Sequence, residues 1–323
     1  MTAPGNTDPY ITDDARGDNW HMMLGDSCER LAEIPDQSID LSVCSPPFAS
    51  LFTYSATPRD LGNSSSRGEF LDHYRFIVRE QLRVTKPGRM ACIHVQQLTT
   101  SKATHGYMGL SDFRGDVIRL FEDVGWIFWG ETTIWKDPQA QSIRTRSHQL
   151  AFQSKNRDST RIRPALADYL LIFKAPGENE VRVENDPTTG EFTNEQWIEW
   201  ASPIWTDFHD GGWLTDDGYY CPVWFGIKES DTLNVRVARE DKDERHICPL
   251  QLGFIERCIK MYSNPGETVL TPFGGIGSEL YVAVKHGRKA IGCELKPSYW
   301  RTAVDNLRTL DNQMNTPDLF DVA

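Results

Sequence analysis

Short apolar runs alternate with longer amphipathic segments through most of the 323-residue chain. Runs rich in Ile, Leu and Val predict buried strands, and apolar residues that recur every three or four positions predict helices. The predicted strands are Ile39–Cys44, Arg89–Val95, Trp126–Trp135, Tyr169–Phe173, Thr268–Thr271 and Ala290–Glu294, and the predicted helices are Glu69–Val84, Asp112–Val124, Leu250–Tyr262, Ser278–His286 and Pro297–Leu310. Strands that alternate with helices of this length indicate an α/β fold with a mostly parallel sheet.

Two long segments interrupt this alternation. Residues 137–165 are polar and basic and follow neither the helical nor the strand period. Residues 175–245 are acidic and contain five tryptophans, which predicts a small packed insert and not a linker. The insert is interpreted either as a surface subdomain or as an element that recognises the substrate, and both interpretations stay open.

Composition narrows the class of protein. Hydrophobic residues make up 39% and charged residues 25%, which is typical of a globular chain. No apolar run approaches the ~20 residues that a transmembrane helix needs, so we expect no membrane partner. Residues 1–18 are acidic and lack an apolar signal core, which predicts a short solvated tail. Seven scattered cysteines form no CxxC or Cys/His pairs, which favours a cytoplasmic protein and predicts no metal site.

The charge is unevenly distributed along the sequence. The formal net charge is −12, which by itself does not suggest a nucleic-acid-binding protein. Between Lys136 and Arg163, however, seven basic residues stand against two acidic ones. Binding to a polyanion depends on where the charges lie, so this segment is a candidate phosphate-binding loop; the alternative is a plain solvated loop.

A glycine-rich turn near the C-terminus has the pattern of a nucleoside-cofactor site. Residues 266–294 read GETVLTPFGGIGSELYVAVKHGRKAIGCE, which predicts a strand, a turn, a helix, a second strand and then Glu294. Glycines allow close approach of a ligand to the backbone, and the final carboxylate can accept both ribose hydroxyls. The turn lacks the Lys of a phosphate-binding P-loop, and Leu280 replaces the third glycine of a dinucleotide fingerprint.

A second unusual segment follows the first long strand. Residues 44–50 read CSPPFAS, and two consecutive prolines remove two backbone donors and fix two φ angles. A simple turn does not need this stiffness, which suggests that the corner holds a chemical group in place.

Together, SPPF and the downstream PFGGIG resemble the amino-group DNA methyltransferases of the β arrangement, in which [DNS]PP[YFW] precedes the cofactor loop. Leu24-Gly-Asp26, Ile134-Trp-Lys136 and Arg245-His-Ile-Cys-Pro249 also resemble family segments in family order. The resemblance implies a Rossmann-like S-adenosylmethionine-dependent methyltransferase fold with a circularly permuted motif order and an inserted recognition region. It implies S-adenosylmethionine as the cofactor and double-stranded DNA as the partner, either beside a cognate restriction endonuclease or without one.

The resemblance also assigns site residues. Ser45 and Pro46 would accept hydrogen bonds from the target amine, Pro47 would stiffen the corner, and Phe48 would stack on the base. The cofactor would be held by Asp26, His246, Thr271, Phe273, Gly275, Gly277 and Glu294. DNA phosphates would be held by Lys136, Arg144, Arg146, Arg161 and Arg163. Two positions depart from the family pattern: Thr271 stands where Asp is usual, near the cofactor's ammonium group, and Ile247 stands where Pro is common.

The resemblance divides the chain into five parts. These are an N-terminal tail over 1–18, a catalytic half over 19–174 that includes the basic loop, a target-recognition insert over 175–245, a cofactor-binding half over 246–311 and a C-terminal tail over 312–323.

The first residue of the catalytic motif bears on the target base. In the family, Ser at this position is typical of transfer to cytosine N4 and Asp of transfer to adenine N6, so Ser45 favours cytosine and leaves adenine as the alternative. The chain has no Pro-Cys dipeptide, which disfavours methylation of a ring carbon. Methylation of an RNA base or a protein amide remains a more distant alternative. A cofactor-binding sensor would not explain the intact SPPF.

Overall fold

The computed structural model describes residues 10–47, 66–136, 166–185, 190–205, 231–234 and 249–316, together with residues 61, 64, 156–158 and 160. Its strands are β1 Asp13–Arg16, β2 Trp20–Leu24, β3 Ile39–Cys44, β4 Thr85–Gln96, β5 Leu98–Thr100, β6 Gly109–Ser111, β7 Ile127–Ile134, β8 Asp168–Lys174, β9 Ile204–Trp205, β10 Thr268–Thr271 and β11 Lys289–Glu294. Its helices are α1 Ser27–Arg30, α2 Arg67–Val84, α3 Lys102–His105, α4 Phe113–Val124, α5 Asn194–Trp200, α6 Leu252–Tyr262, α7 Ser278–Lys285 and α8 Pro297–Asn315.

A nine-stranded sheet forms the centre of the described fold. Its strand order is β1-β2-β11-β10-β3-β4-β8-β7-β9, and β5 and β6 form a separate hairpin. The strands from β2 to β4 are all parallel, whereas β8 runs antiparallel to both β4 and β7. The expected mostly parallel α/β fold is therefore confirmed.

Helices cover both faces of the sheet. Residues of α6, α7 and α8 pack in one core with Leu41 and Val43 of β3. Residues of α2 and α4 pack in a second core with Ile39 and Cys44 of the same strand. Because β3 is covered on both faces, its sequence is a continuous apolar run and does not alternate with exposed polar residues.

The strand order reverses between β10 and β3. From β10 the chain passes through α7 to β11 on one side, and from β3 it passes through α2 to β4 on the other. In open α/β sheets, ligands bind outside the carboxyl ends of the strands at such a switch point. The glycine turn follows β10 and the SPP corner follows β3, so both motifs lie at this edge of the sheet.

Both predicted tails contain regular structure. Asp13–Arg16, expected to be part of a solvated tail, form β1 and pair antiparallel with β2. The indole nitrogen of Trp20 also donates to Asp311 over 2.7 Å, which ties this end of the sheet to α8. That helix continues to Asn315, beyond its predicted end at Leu310 and into the segment expected to be the C-terminal tail.

The described part of the tryptophan-rich insert packs onto the fold. Its strand β9 pairs parallel with β7, and Trp200 and Trp205 are buried in the first core. The Arg257 guanidinium of α6 lies over both indole rings, 5.2 and 4.9 Å from their centroids. The described part of the insert thus packs on the first core, and Trp213 and Trp224 lie outside the described residues. No helix in the described ranges is long and apolar enough to cross a membrane.

Candidate active site

The SPP corner is built on the end of β3. Pro46 is buried, and Ser45 and Pro47 are partly exposed. The Ser45 hydroxyl lies 3.2 Å from Nδ1 of His94 and 3.3 Å from the backbone oxygen of the same residue. Either contact uses the hydroxyl hydrogen, and the lone pairs of the Ser45 oxygen then remain available to accept from an N–H donor.

A chain of buried polar side chains continues behind Ser45. His94 Nε2 lies 3.0 Å from Oδ2 of Asp168, which also pairs with the Lys136 ammonium at 2.8 Å. The other Asp168 oxygen accepts from the side-chain amide of Gln96 at 2.8 Å. Side chains from β4, from β8 and from the residues just after β7 therefore meet at the Asp168 carboxylate.

Electrostatics keep that carboxylate ionised. Burial alone would raise the pKa of Asp168, but the Lys136 ammonium and the hydrogen bond from His94 hold this pKa well below its usual range. An ionised carboxylate accepts only, so in the neutral imidazole the proton lies on His94 Nε2 and leaves Nδ1 as the acceptor. The Ser45 hydroxyl can then donate to Nδ1 or to the backbone oxygen of His94, and both acceptors lie on the His94 side of the hydroxyl.

Lys136 belongs to this chain of buried polar side chains. Its residue surface is only 7% exposed, and its ammonium is paired with Asp168 on the protein side. A buried ammonium that is removed from its carboxylate would leave two unpaired buried charges. The ion pair places Lys136 in the chain that supports Ser45, and its contact with DNA phosphates stays a prediction.

The glycine turn shapes the other half of the site. Gly275 and Gly277 have φ angles of +51° and +88°, which non-glycine residues rarely adopt. A Cβ atom on Gly277 would lie 3.1 Å from Cβ of Ala303, whereas one on Gly275 would point into open space. The turn is therefore packed tightly on its α8 side and leaves room beside Gly275.

Glu294 connects this turn to the end of β11. Its two carboxylate oxygens accept from the backbone N–H groups of Gly275 and Lys296, each at 2.8 Å. The backbone N–H of Gly25 donates to the Glu294 carbonyl at 2.9 Å and brings the end of β2 alongside. Asp26 then caps α1 by accepting from the Cys28 N–H at 2.9 Å. The predicted cofactor residues Asp26, Gly275, Gly277 and Glu294 are thus adjacent.

Two polar atoms near the turn fit a polar ligand. The hydroxyls of Thr271 and Ser278 are buried and have no hydrogen-bond partner in the structure. Such unsatisfied groups are rare in native proteins and call for an explanation such as a bound molecule. They flank the glycine turn, so these residues suit a cofactor with polar groups. Phe273 instead packs its ring against Tyr74, at 5.9 Å between centroids.

Several predicted site residues lie outside the described residues: Phe48, Arg144, Arg146, Arg161, Arg163 and His246. Sequence reasoning also missed His94 and Asp168. The available signal was a histidine and an aspartate within or beside apolar strand runs, which is unusual for buried positions.

The class of the protein follows from the switch point, where a turn suited to a nucleoside cofactor lies beside a rigid corner suited to an amine. Methyltransferases that act on amino groups need this combination. The chain matches the DNA methylase family N6_N4_Mtase over residues 39–305 and belongs to that family. The family resemblance and the methyltransferase fold expected from the sequence are confirmed.

Relatives and a solved structure agree with this assignment. The chain is 24% identical to the type II methyltransferase M.MjaI of Methanocaldococcus jannaschii, over 87% of this chain and 88% of the relative. It is also 24% identical to type II methyltransferase M1.MboII of Moraxella bovis, over 83% of this chain and 89% of that protein. The fold is similar to that of TTHA0409 of Thermus thermophilus, solved with S-adenosyl-L-methionine, with a TM-score of 0.62, 21% identity and coverage of 90% and 93% of the two chains.

S-adenosylmethionine is the cofactor of this family and supplies the methyl group when bound. In this chain, the residues that would hold it are those of the glycine turn, Glu294 and the two unsatisfied hydroxyls. The Ser45 corner lies at the end of the adjacent strand, where an amine could approach the methyl group.

Proposed function

We propose that this DNA methyltransferase transfers a methyl group to the exocyclic amine of cytosine, at N4, after the base has been flipped out of the duplex. The observation that carries the proposal is the Ser45 hydroxyl, oriented by His94 at the end of β3 beside the cofactor turn. Serine at this position is typical of N4-cytosine enzymes in the resembling family. Adenine N6 is the second candidate, because it presents a similar amine.

The residues of the corner explain how a weak nucleophile could react. The lone pair of an exocyclic amine is delocalised into the ring. Acceptors at Ser45 and the Pro46 carbonyl would bind its N–H groups and favour the geometry in which the lone pair points at the methyl group. The N–C bond would form as the S–C bond of the cofactor breaks, and the resulting methylated ammonium would lose one proton to solvent. Alignment and preorganised acceptors provide the rate enhancement.

Access to this site requires an extruded base. The acceptors lie at the carboxyl edge of the sheet, and a base inside a duplex cannot reach them. Phe48 would stack on the extruded base, and Arg144, Arg146, Arg161 and Arg163 would bind the flanking phosphates. Readout of the sequence is assigned to the insert over 175–245. A partner endonuclease is compatible with this function, since the relatives named above are type II methyltransferases.

Nucleoside mass spectrometry tests the proposal. The protein and S-adenosylmethionine are incubated with unmethylated duplex DNA, which is then digested to nucleosides. We expect N4-methylcytosine. N6-methyladenine as the product would contradict the choice of base, and no methylated nucleoside from any DNA would contradict the proposed activity.

A pair of serine variants tests the role of the corner. Ser45→Ala should lower turnover by about 100-fold or more, while cofactor affinity changes little, because the acceptor acts on the reacting amine. Ser42→Ala is the matched control: Ser42 lies on β3, three residues before Ser45, and its buried hydroxyl has no partner to lose. Equal losses of turnover and cofactor affinity in Ser45→Ala would mean that the corner is only structural.

A further inference from the structure

Glu279 is a buried carboxylic acid that the proposed reaction does not use. It lies in the first turn of α7, two residues after Gly277, and is 6% exposed. Among the described residues it forms no ion pair with a lysine, arginine or histidine. Acidic residues are almost never fully buried unless they are paired, so this position calls for a partner.

The surroundings of Glu279 place it over the centre of the site. The Glu294 carboxylate, at the end of β11, acts electrostatically on Glu279, and Glu279 in turn acts on the Cys44 thiol at the end of β3. Strand β10 lies between those two strands, and its last residue is Thr271. Because α7 begins at Ser278, directly after the turn that follows β10, the first turn of α7 with Glu279 lies at the carboxyl edge of β10, where the unsatisfied hydroxyls of Thr271 and Ser278 also lie.

Its present environment favours the neutral acid. Burial raises the pKa of Glu279 to about 8, and the nearby Glu294 carboxylate adds to this increase. The N-terminus of α7 would favour a negative charge, but it does not offset the loss of water. A cation that binds beside such a carboxyl group stabilises its ionised form and lowers its pKa.

We propose that Glu279 is the anionic partner of the positively charged methionine end of S-adenosylmethionine, in the place of the acid that position 271 lacks. The cofactor carries a sulfonium and an ammonium group, and the described site residues at the turn offer it no other carboxylate beyond Glu294 and Asp26. Those two lie at the ends of β11 and β2, where the ribose and adenine are expected. The inference rests on the cofactor of the family and not on the choice of base.

Proton release follows from this assignment. Cofactor binding would ionise Glu279, so each bound cofactor would release up to about one proton near pH 7. Affinity should rise as the pH rises toward 8 and become constant above it, because the free protein then already carries the carboxylate. Deprotonation of the cofactor's own amine opposes this rise at higher pH and acts equally on all variants.

Isothermal titration calorimetry with S-adenosylmethionine, in buffers of different ionisation enthalpy, measures both quantities. Glu279→Gln should bind about tenfold more weakly or worse near pH 8, release fewer protons and lose the rise of affinity with pH. Thr271→Asp added to Glu279→Gln should restore part of the affinity. S-adenosylhomocysteine, which lacks the sulfonium charge, shows whether the sulfonium or the ammonium is the group contacted.

Glu294→Gln is the control for a carboxylate outside the proposed contact. It should weaken binding, and because it removes a charge that helps to raise the pKa of Glu279, it should reduce the proton release only in part. Glutamine has the shape of the protonated acid, so Glu279→Gln should unfold at or above the wild-type temperature. Wild-type affinity and proton release in Glu279→Gln would overturn the assignment, even if the protein methylates DNA. Failure to methylate DNA, with the expected calorimetry, would instead count against the proposed function.

Discussion

At the scale of single residues, the candidate site depends on a buried charge pair that supports a neutral hydrogen bond. The Lys136–Asp168 pair orients His94, and His94 orients the Ser45 hydroxyl. Desolvation of both charges is costly, and a buried pair is in general weak evidence for stability. Its value here is orientation, since the ionised carboxylate selects one tautomer of the imidazole.

Removal of one charge of the Lys136–Asp168 pair should reveal the cost of keeping the other charge buried. Asp168→Asn leaves the Lys136 ammonium buried without a counterion, so we expect the free energy of unfolding to fall by about 3–5 kcal/mol. Urea unfolding at pH 7 measures it. Combining Asp168→Asn with Lys136→Met should recover a large part of the loss, and a loss below about 1 kcal/mol in Asp168→Asn alone would show that the pair is hydrated.

The Lys136–Asp168 pair also determines how the stability of the folded protein depends on pH. Because the pKa of Asp168 is lowered in the folded protein, its contribution to stability is complete above the unfolded-state pKa of about 3.9. It is lost as the pH falls from there toward the lowered folded-state value. Asp168→Asn should lack this component of the acid dependence.

At the scale of elements, the central strands β3 and β10 were predictable from the sequence, whereas the outermost strands β1 and β9 were not. The predicted bounds of β3 and β10 match the structure, because continuous apolar runs between turn residues leave little choice. β1 and β9 contain four and two residues, and each exists only because a neighbouring strand pairs with it. A local pattern carries no information about such a partner.

The residues of the candidate site also differ in whether the sequence predicts them. Ser45 and the glycine turn belong to contiguous motifs that a reader can recognise. His94, Lys136 and Asp168 come from three separate strand regions, and only the pairing of β4, β7 and β8 brings them together. Sequence alone therefore grouped Lys136 with the basic residues of the segment that ends at Arg163, because its neighbour in space was unknown.

The glycine turn permits a test at this scale. Gly277→Ala places a Cβ atom in a left-handed conformation and against Ala303, so cofactor affinity should fall about tenfold and stability by about 1–2 kcal/mol. Calorimetry and thermal unfolding measure the two effects. Gly287→Ala is the control, because its φ of +73° imposes similar strain while its Cβ meets nothing within 4 Å. Equal affinities for the two variants would remove the turn from the cofactor site.

At the scale of the whole molecule, charge and topology must be considered together. The chain carries a net charge of −12, yet its target is polyanionic, so binding depends on a local basic surface. With Lys136 buried, this role stays predicted for the four arginines at 144, 146, 161 and 163. All four belong to the segment that connects β7 to β8, and the described ends of that segment, Lys136 and Asp168, pair with each other behind Ser45.

The salt dependence of DNA binding tests this surface. Replacing the four arginines by alanine should weaken binding to all sequences and reduce the slope of log K against log salt by up to about 0.9 per lost phosphate contact. Fluorescence anisotropy over a salt series measures the slope. Arg301→Ala with Arg308→Ala, two exposed changes on α8, should leave it nearly unchanged. An unaltered slope in the fourfold variant would exclude the loop from the interface.

Strand β1, at the border of the sheet, has a consequence for solubility. β2 is almost entirely buried, and β1 covers its outer side with four residues, two of them aspartates. Asp14 is held there by Arg30 at 2.7 Å. A short acidic border of this kind discourages edge-to-edge association of sheets from different molecules. The residues expected to form a passive tail thus protect the sheet from aggregation on the side where the cofactor strand β11 lies next to β2.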